Sequence, residues 1–357
     1  MRLSTIFALI ISTAFTLTVN SAAQQNKDGN AVVAKLGGTS VTAAEFEKKE
    51  AGDLLQARFQ MYQSERKVLD HFIDNQLLEL QAKKAGLTVD QLLEKEAYKN
   101  INKKDPTDDQ LEVYYEGLDS DQPFAAVREQ IIAHIREVRR NKARSAYIAQ
   151  LKAQSNIQIL LAPPTADVDA ESANLRGSKN APVKLVEFAD YQCPYCAKVN
   201  PVLQAIEKEY GSNLAVVFKD FPLPMHKDAQ KAAEGARCAG EQGKYWEYHD
   251  LLFSSHQVDL PSLKTHAGEL KLDQAKFDAC LDSGAEAAAV KKDLEEGQRL
   301  GLTATPSFFV NGHFFSGAAD SRTIHEMIAM EMPASSSIGA SAAVPPTAIA
   351  QASTSGK

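Results

Sequence analysis

Cys193 and Cys196, in the stretch CPYC, are the residues whose types and spacing most directly suggest chemistry. Such a pair can bind a metal ion, close a structural disulfide or exchange electrons with the thiols of other proteins. A zinc site usually needs four ligands in close pairs, but Cys238 and Cys280 lie 42 positions apart. A disulfide within four residues closes a ring too small for much entropic stabilisation. Electron exchange is therefore the favoured interpretation.

The elements around the cysteines support this interpretation. VKLVEFA (183–189) is rich in β-forming residues, and CAKVNPVLQAIEKEY (196–210) has a helical pattern. Cys193 then lies at a helix N-terminus, where unpaired N–H groups and the helix dipole favour a thiolate. Pro194 fits the first helical turn because it has no N–H to satisfy. We expect Cys193 to exchange with the partner's sulfur and Cys196, one turn later, to resolve the mixed disulfide.

A second stretch, GLTATPSFFVNGHFFSG (301–317), is expected to complete the site. It contains two short strands joined by the hairpin dipeptide Asn311-Gly312. Thr305-Pro306 stands directly before the first of these strands. A proline at the entry of a central strand is unusual unless its peptide bond is cis in a tight turn.

EFADYQCPYC, Pro201 and TPSFFVNG together resemble the DsbA-like thioredoxin-fold oxidoreductases. The resemblance implies that Thr305-Pro306 is cis, packs beside the cysteines and pairs its backbone with a bound peptide. It also implies that Glu187 is a buried acid able to take the proton of Cys196, with Lys219 as a candidate charge partner. The residues between the cysteines, Pro194 and Tyr195, are expected to tune the redox potential.

The interval between the cysteines and Pro306 reads as several helices, like the helical insertion of the DsbA-like family. The fold class is thus an α/β thioredoxin fold with a helical insertion, over residues 181–332. Cys238 and Cys280 flank the insertion as a candidate structural disulfide, which would close a loop of about 43 residues. Two free thiols and a second redox pair remain as alternatives.

The preceding region has a different organisation. Residues 1–23 have the layout of a cleavable signal peptide. Residues 31–162 form a mostly helical domain, bracketed by two short strands that could pair, with NIQILL as the second strand. This region resembles the N-terminal domain of SurA-type chaperones but has no room for a parvulin insert, so we predict no prolyl isomerase activity. It could bind peptides, dimerise or act as a spacer. Residues 163–180 are predicted as a linker and residues 333–357 as a disordered tail.

The chain has 357 residues and a formal net charge of -7, which argues against a nucleic-acid partner. We expect an exported, periplasmic or otherwise extracytoplasmic thiol:disulfide oxidoreductase that forms disulfides in client proteins with free thiols. A separate, membrane-bound redox partner would reoxidise it, and neither a cofactor nor a metal is implied. The alternatives are a disulfide isomerase or reductase, and a chaperone or peptide-binding module whose CxxC is incidental.

Overall fold

A computed structural model describes residues 29–332 except 100, 102–104, 119–120, 172–173 and 318–320. The predicted signal peptide and C-terminal tail lie outside the described residues. Within those residues, no helix combines the length and apolar character that a membrane span requires.

The N-terminal region is a β-hairpin followed by helices. A capping box begins the first helix: Glu45 N–H donates to the Thr42 hydroxyl, and the Glu45 carboxylate accepts from Thr42 N–H. Gly86, in the left-handed conformation, ends the longest of the described helices. The elements are β1 (Val32–Leu36), β2 (Thr39–Thr42), α1 (Ala43–Lys49), α2 (Ala51–Ala85), α3 (Val89–Glu96), α4 (Asp108–Glu116) and α5 (Phe124–Ala153).

The expected second strand of this region, NIQILL, does not form. β1 instead pairs with β2, because Gly37 and Gly38 both have positive φ and turn the chain straight back. Residues 156–164 form neither a helix nor a strand. They lead to the thioredoxin domain, where the Pro164 carbonyl accepts from Phe314 N–H at 2.9 Å. The prediction that the two bracketing strands could pair is therefore wrong.

The C-terminal region is a five-stranded sheet in the order β3-β5-β4-β6-β7. β4 is parallel to β5, and the other pairs are antiparallel. Helices α7–α11 separate β5 from β6, which confirms the thioredoxin fold with a helical insertion. The elements are β3 (Leu175–Gly177), β4 (Val183–Ala189), α6 (Pro194–Tyr210), β5 (Leu214–Asp220), α7 (Ala229–Gly240), α8 (Tyr245–Ser255), α9 (Leu260–Glu269), α10 (Gln274–Ser283), α11 (Ala287–Arg299), β6 (Ser307–Val310), β7 (His313–Ser316) and α12 (Ser321–Glu331).

Two parts of the segment predicted as a linker, 163–180, pair with this sheet. Thr165 forms a β-bridge with His313, and Ala166 N–H donates to the Gly312 carbonyl at 2.9 Å. Further along, β3 pairs with β5 as the edge strand. The sequence concealed this role because three residues ending in glycine give too short a pattern to indicate a strand.

Helix α2 packs directly on the thioredoxin domain. Leu55 and Phe59 belong to the same buried cluster as the sheet residues, and the Phe59 and Phe314 rings meet edge to face at 4.7 Å between centroids. A Cβ on Gly52 would lie 2.7 Å from the backbone N of Gly301, so glycine allows the two backbones to touch. The N-terminal helices are thus anchored on the segment that leads to Pro306.

Candidate active site

Cys193 and Cys196 lie where the sequence analysis expects them, at the start of α6. Cys193 is the N-cap residue and Pro194 occupies the first helical turn. Both thiols are free and buried, Cys196 completely. The Cys193 N–H donates to the Asp190 carbonyl at 3.0 Å, which closes the turn between β4 and α6.

The electrostatic environment separates the two thiols. A hydrogen bond from the Cys196 side chain is the main cause that lowers the pKa of Cys193 to about 5. The Thr305 side chain and the backbone N–H groups of Cys196 and Tyr195 lower this pKa further, against the cost of burial. Burial, followed by the bond to Cys193, raises the pKa of Cys196 well above its ordinary value. At neutral pH the pair therefore holds one thiolate and one thiol.

The loop before β6 lies against this pair. β6 is hydrogen-bonded to β4, with Ser307 opposite Phe188, so the segments that carry Thr305 and Cys193 meet at one end of the sheet. The Thr305-Pro306 peptide bond is cis, and both residues are buried. The Cys193 sulfur lies 3.4 Å from the Thr305 carbonyl oxygen, to which the thiol can donate when Cys193 is protonated. The structure thus brings Thr305 and Pro306 to the cysteines.

Glu187 lies on β4 between the aromatic residues Phe218 of β5 and Phe308 of β6, and it is 3% exposed. Burial, and then the charge of Glu207, raises the pKa of Glu187 to about 8. A carboxyl group with this pKa is mostly protonated at neutral pH and can still lose its proton at a pH close to neutral. The Glu187 charge also raises the pKa of Cys196, and the role of Glu187 as the proton partner of that thiol stays a prediction.

Lys219 is not the charge partner of Glu187. On β5, Phe218 lies opposite Glu187 and Lys219 lies opposite Phe188, so the lysine faces the other side of the sheet. Its amino group instead lies 3.1 Å from Glu296, 3.4 Å from Asp293 and 3.6 Å from Asp169. The prediction of Lys219 as the charge partner is therefore wrong. The face on which a strand residue lies, relative to a neighbouring strand, depends on the pairing register.

Two contacts that the sequence analysis missed fasten the loop before Cys193. The Asp190 carboxylate accepts from Leu223 N–H at 2.8 Å and contacts His226 Nδ1 at 2.7 Å. Gln192 and Asp228 form a reciprocal pair, in which Asp228 N–H donates to the Gln192 side chain at 2.7 Å. An aspartate between a buried strand and a turn was the available signal, since such residues commonly bond nearby backbone N–H groups.

Tyr195, between the cysteines, is 54% exposed, with Lys198 over its ring at 5.6 Å. This exposure makes Tyr195 available to a bound molecule. Its role in redox tuning, and that of Pro194, stay predictions. Among the described residues, no group of three or more His, Cys, Asp or Glu side chains could hold a metal ion.

Cys238 of α7 and Cys280 of α10 are joined by a disulfide, with a sulfur–sulfur distance of 2.03 Å. This bridge lies within the buried cluster of the helical insertion, which also contains the two active-site cysteines.

Fold and site together define a thioredoxin-fold domain with a CxxC pair, a cis-proline loop and a helical insertion. In agreement, residues 169–329 match a family model described as thioredoxin, and residues 2–106 match a SurA-like N-terminal domain. These matches agree with the expected order of a SurA-like N-terminal domain followed by a thioredoxin domain.

Two solved structures are similar to this chain. Oxidised BdbD from Bacillus subtilis is 24% identical with a TM-score of 0.43, covering 48% of this chain and 97% of that one. A thioredoxin-like oxidoreductase from Silicibacter pomeroyi DSS-3 is 25% identical with a TM-score of 0.43, covering 46% of this chain and 96% of that one.

Curated relatives are much longer proteins. Na(+)/H(+) antiporter NhaA 3 of Salinispora tropica is 37% identical over 172 residues, which are 47% of this chain and 26% of that protein. Na(+)/H(+) antiporter NhaA of Herminiimonas arsenicoxydans is 34% identical over 171 residues, 48% of this chain and 27% of that protein. The chain therefore spans about a quarter of the length of these relatives.

The raised pKa of Glu187 gives the folded protein a pH-dependent cost. Its pKa is 4.5 ordinarily and about 8 in the fold, so the cost is absent below pH 4.5, grows as pH rises and is complete above pH 8. Glu187→Gln is expected to raise the free energy of unfolding by about 3 kcal/mol more at pH 7 than at pH 4. Urea unfolding at both pH values, with both proteins in the same redox state, measures this difference.

The matched control is Glu295→Gln, since Glu295 is a 61% exposed side chain on α11. Its effect on stability is expected to be small and nearly independent of pH. An equally flat profile for Glu187→Gln would show that Glu187 ionises in the fold as freely as it does in the unfolded chain.

Proposed function

We propose that this chain is an exported thiol:disulfide oxidoreductase that forms disulfides in client proteins of an extracytoplasmic compartment such as the periplasm. The observation that carries the proposal is the pairing of a low-pKa Cys193 with a buried Cys196 beside the Thr305-Pro306 loop. A low pKa makes Cys193 a good leaving group, so the disulfide form is oxidising. The signal-like N-terminus supports export.

The reaction begins from the Cys193–Cys196 disulfide. A client thiolate attacks the Cys193 sulfur, the intramolecular bond breaks, and a mixed disulfide forms while Cys196 leaves as a thiolate. Glu187 gives this thiolate a proton, and the ionised Glu187 regains one from solvent. A second client thiolate then attacks the client sulfur of the mixed disulfide and releases Cys193 as a stabilised thiolate. The client has lost two electrons, and a membrane-bound partner carrying an oxidised disulfide accepts them from the dithiol.

The same groups can run in reverse, as in a disulfide isomerase or reductase. In that case the Cys193 thiolate attacks a client disulfide, and Cys196 resolves the product. The pKa of Cys193, about 5, favours the oxidase, because a stabilised thiolate makes the dithiol form the preferred product. Equilibration with glutathione ranks the two directions, since an isomerase or reductase requires a more reducing potential.

A chaperone or peptide-binding role has support in the N-terminal region. Met61, Val68 and Phe72 recur at helical spacing on α2 and are exposed, so a stripe of apolar side chains faces outward. Such a stripe could bind unfolded clients or a second copy of the chain. This role would accompany disulfide exchange, and a homodimer remains part of the proposal. The antiporter activity named for the curated relatives is not proposed here.

The proposal is tested by oxidative refolding of reduced ribonuclease A with catalytic amounts of the protein and glutathione disulfide as the oxidant. Cys193→Ser is expected to abolish the acceleration, since no sulfur remains for the client to attack. In a separate reaction with a disulfide-bonded client, Cys196→Ser is expected to accumulate a mixed disulfide at Cys193 because the resolving thiol is gone. Mass measurement under non-reducing conditions identifies that adduct.

Cys238→Ala/Cys280→Ala is the control, because it removes the other cysteine pair and leaves the CPYC stretch intact. It is expected to keep the acceleration at temperatures where it is folded. If Cys193→Ser refolds the client as well as the unaltered protein does, the oxidoreductase proposal is wrong and the chaperone alternative gains support.

A further inference from the structure

Arg176, on the edge strand β3, is a charged side chain that three partners hold near Glu187, the candidate active-site acid. Its Nε lies 2.7 Å from the Glu207 carboxylate of α6, and its Nη1 lies 3.0 Å from the Asp250 carboxylate of α8. The guanidinium also stacks on Trp246, 4.2 Å from the ring centroid. Three partners on two helices therefore fix this arginine in one position.

The sheet register places Arg176 and Glu187 on the same face. Arg176 lies opposite Val216 of β5, and Val216 lies opposite Leu185 of β4. Because side chains alternate along a strand, Leu185 and Glu187 share a face, and so do Val216 and Phe218. The long arginine side chain thus extends over the sheet surface that buries Glu187, whereas Lys219 occupies the opposite surface.

Helix α6 joins this face to the reacting sulfurs. Cys196 and Glu207 are about three turns apart, which puts them on one side of the helix. The Glu207 carboxylate is thereby directed to the same surface as the resolving thiol. Glu187 thus lies on the sheet surface beneath α6. This helix has the active-site thiols at its N-terminal end and Glu207, the partner of Arg176, near its C-terminal end.

The charges around Glu187 act in opposite directions. Burial raises the pKa of Glu187 most, the Glu207 charge raises it further, the Arg176 charge lowers it and Cys193 raises it. Two residues of α8, His249 and Asp250, interact electrostatically with Arg176. The other strands flanking Glu187 contribute aromatic side chains. The titratable or charged groups that the structure describes around this site are Arg176, Cys193, Cys196, Glu207, His249 and Asp250, together with Tyr191, whose ring stacks on Phe218.

We propose that Arg176 is the positioning residue for proton exchange at Glu187, supplying the buried positive charge for which Lys219 is wrongly placed. Glu207 opposes this charge, so the Arg176–Glu207 pair sets how readily Glu187 gives its proton to Cys196 and regains one. The catalytic consequence rests on the proposed oxidoreductase function, while the effect on Glu187 ionisation is independent of it.

The test is the titration of Glu187 by carbon-13 NMR of glutamate-labelled protein, with Glu187→Gln assigning the resonance. Arg176→Gln removes the positive charge and is expected to raise the pKa of Glu187 by roughly one unit. Glu207→Gln removes the negative charge and is expected to lower this pKa by at least as much. Arg176→Lys is expected to leave it nearer the unaltered value than Arg176→Gln does.

Two control variants separate charge from packing. Trp246→Leu removes the stacking partner of Arg176 without changing any charge, and Lys219→Gln removes a buried charge from the opposite face. Neither is expected to shift the Glu187 titration as far as Arg176→Gln does. If Arg176→Gln does not fold, two other results test the proposal together. The pKa of Glu187 should fall in Glu207→Gln and should stay near its unaltered value in Arg176→Lys.

Unchanged titration in Arg176→Gln, or shifts of the same sign in Arg176→Gln and Glu207→Gln, would overturn the proposal. The oxidoreductase function fails separately, in the refolding assay with Cys193→Ser. Opposite shifts in protein without exchange activity would support the role of Arg176 in Glu187 ionisation and refute the proposed function.

Discussion

The dithiol form of this protein is expected to gain about 3 kcal/mol of stability at neutral pH that the disulfide form lacks. The cause is the Cys193 thiolate, because its pKa is about 5 in the fold against an ordinary value of 9.0. A depressed pKa gives stability that is complete above pH 9 and is lost as pH falls through 5. The disulfide form has no thiolate at this position and gains none of this stability. In the chain-entropy model the four-residue CPYC ring stabilises the disulfide form by about 2 kcal/mol, which opposes the contribution of the thiolate and makes the net gap at pH 7 smaller.

Urea unfolding of both forms at pH 7 and pH 5 measures this difference. Because much of Cys193 is protonated at pH 5, the free energy of unfolding of the dithiol form is expected to fall by about 2 kcal/mol, relative to that of the disulfide form, between pH 7 and pH 5. Alkylation and mass measurement before each experiment establish that Cys193 and Cys196 alone carry free thiols in the dithiol form. In the same samples, thiolate absorbance at 240 nm should titrate with a midpoint near 5, and Cys193→Ser should lack this step.

A midpoint near 9 would contradict the role of Cys193 as the stabilised thiolate. A stability gap that stays constant between pH 5 and pH 7 would do so as well, because ionisation of a single group cannot produce it.

The parts of the site that the sequence predicted are those that local spacing determines. The CPYC stretch follows a β-rich run and opens a helical pattern, so the place of Cys193 at the helix N-terminus follows from residues within about twenty positions of it. Thr305-Pro306 before an Asn-Gly hairpin is equally local. The prediction of Glu187 depended on the resemblance to the DsbA-like family rather than on any pattern. A single acidic residue in a strand does not by itself indicate whether its side chain is buried or exposed.

The partners of these residues depend on contacts between distant strands. Lys219 and Glu187 both lie on central strands, and a shift of one residue decides whether their side chains share a face. The register puts Phe218, not Lys219, opposite Glu187. Arg176 was hidden in a polar segment read as a linker, and its role needs both the edge strand and α6 in place.

Strand formation itself shows the same limit. NIQILL is apolar enough for a strand but finds no partner, whereas LRG has no strand pattern and pairs with β5. A strand needs a neighbour that supplies hydrogen bonds, and neighbours are a property of the tertiary fold. Helices satisfy their own backbone groups, which explains why their positions followed more closely from the sequence.

Removal of the Cys238–Cys280 disulfide is expected to lower the free energy of unfolding by about 4 kcal/mol. The bridge joins α7 to α10 across a sequence separation of 42 residues, a loop that includes α8 and α9. Without it, the unfolded chain gains the entropy of that open loop, while the folded chain keeps its packing.

The measurement is urea unfolding of Cys238→Ala/Cys280→Ala in a background that also carries Cys193→Ser and Cys196→Ser. This background is needed because the redox state of the CPYC pair changes stability by a comparable amount. Reductant supplies the control: it should destabilise the background protein, whose bridge it can break, and leave the protein without cysteines unchanged. If both proteins unfold at the same urea concentration without reductant, the bridge contributes no net stability and the two helices are held by packing alone.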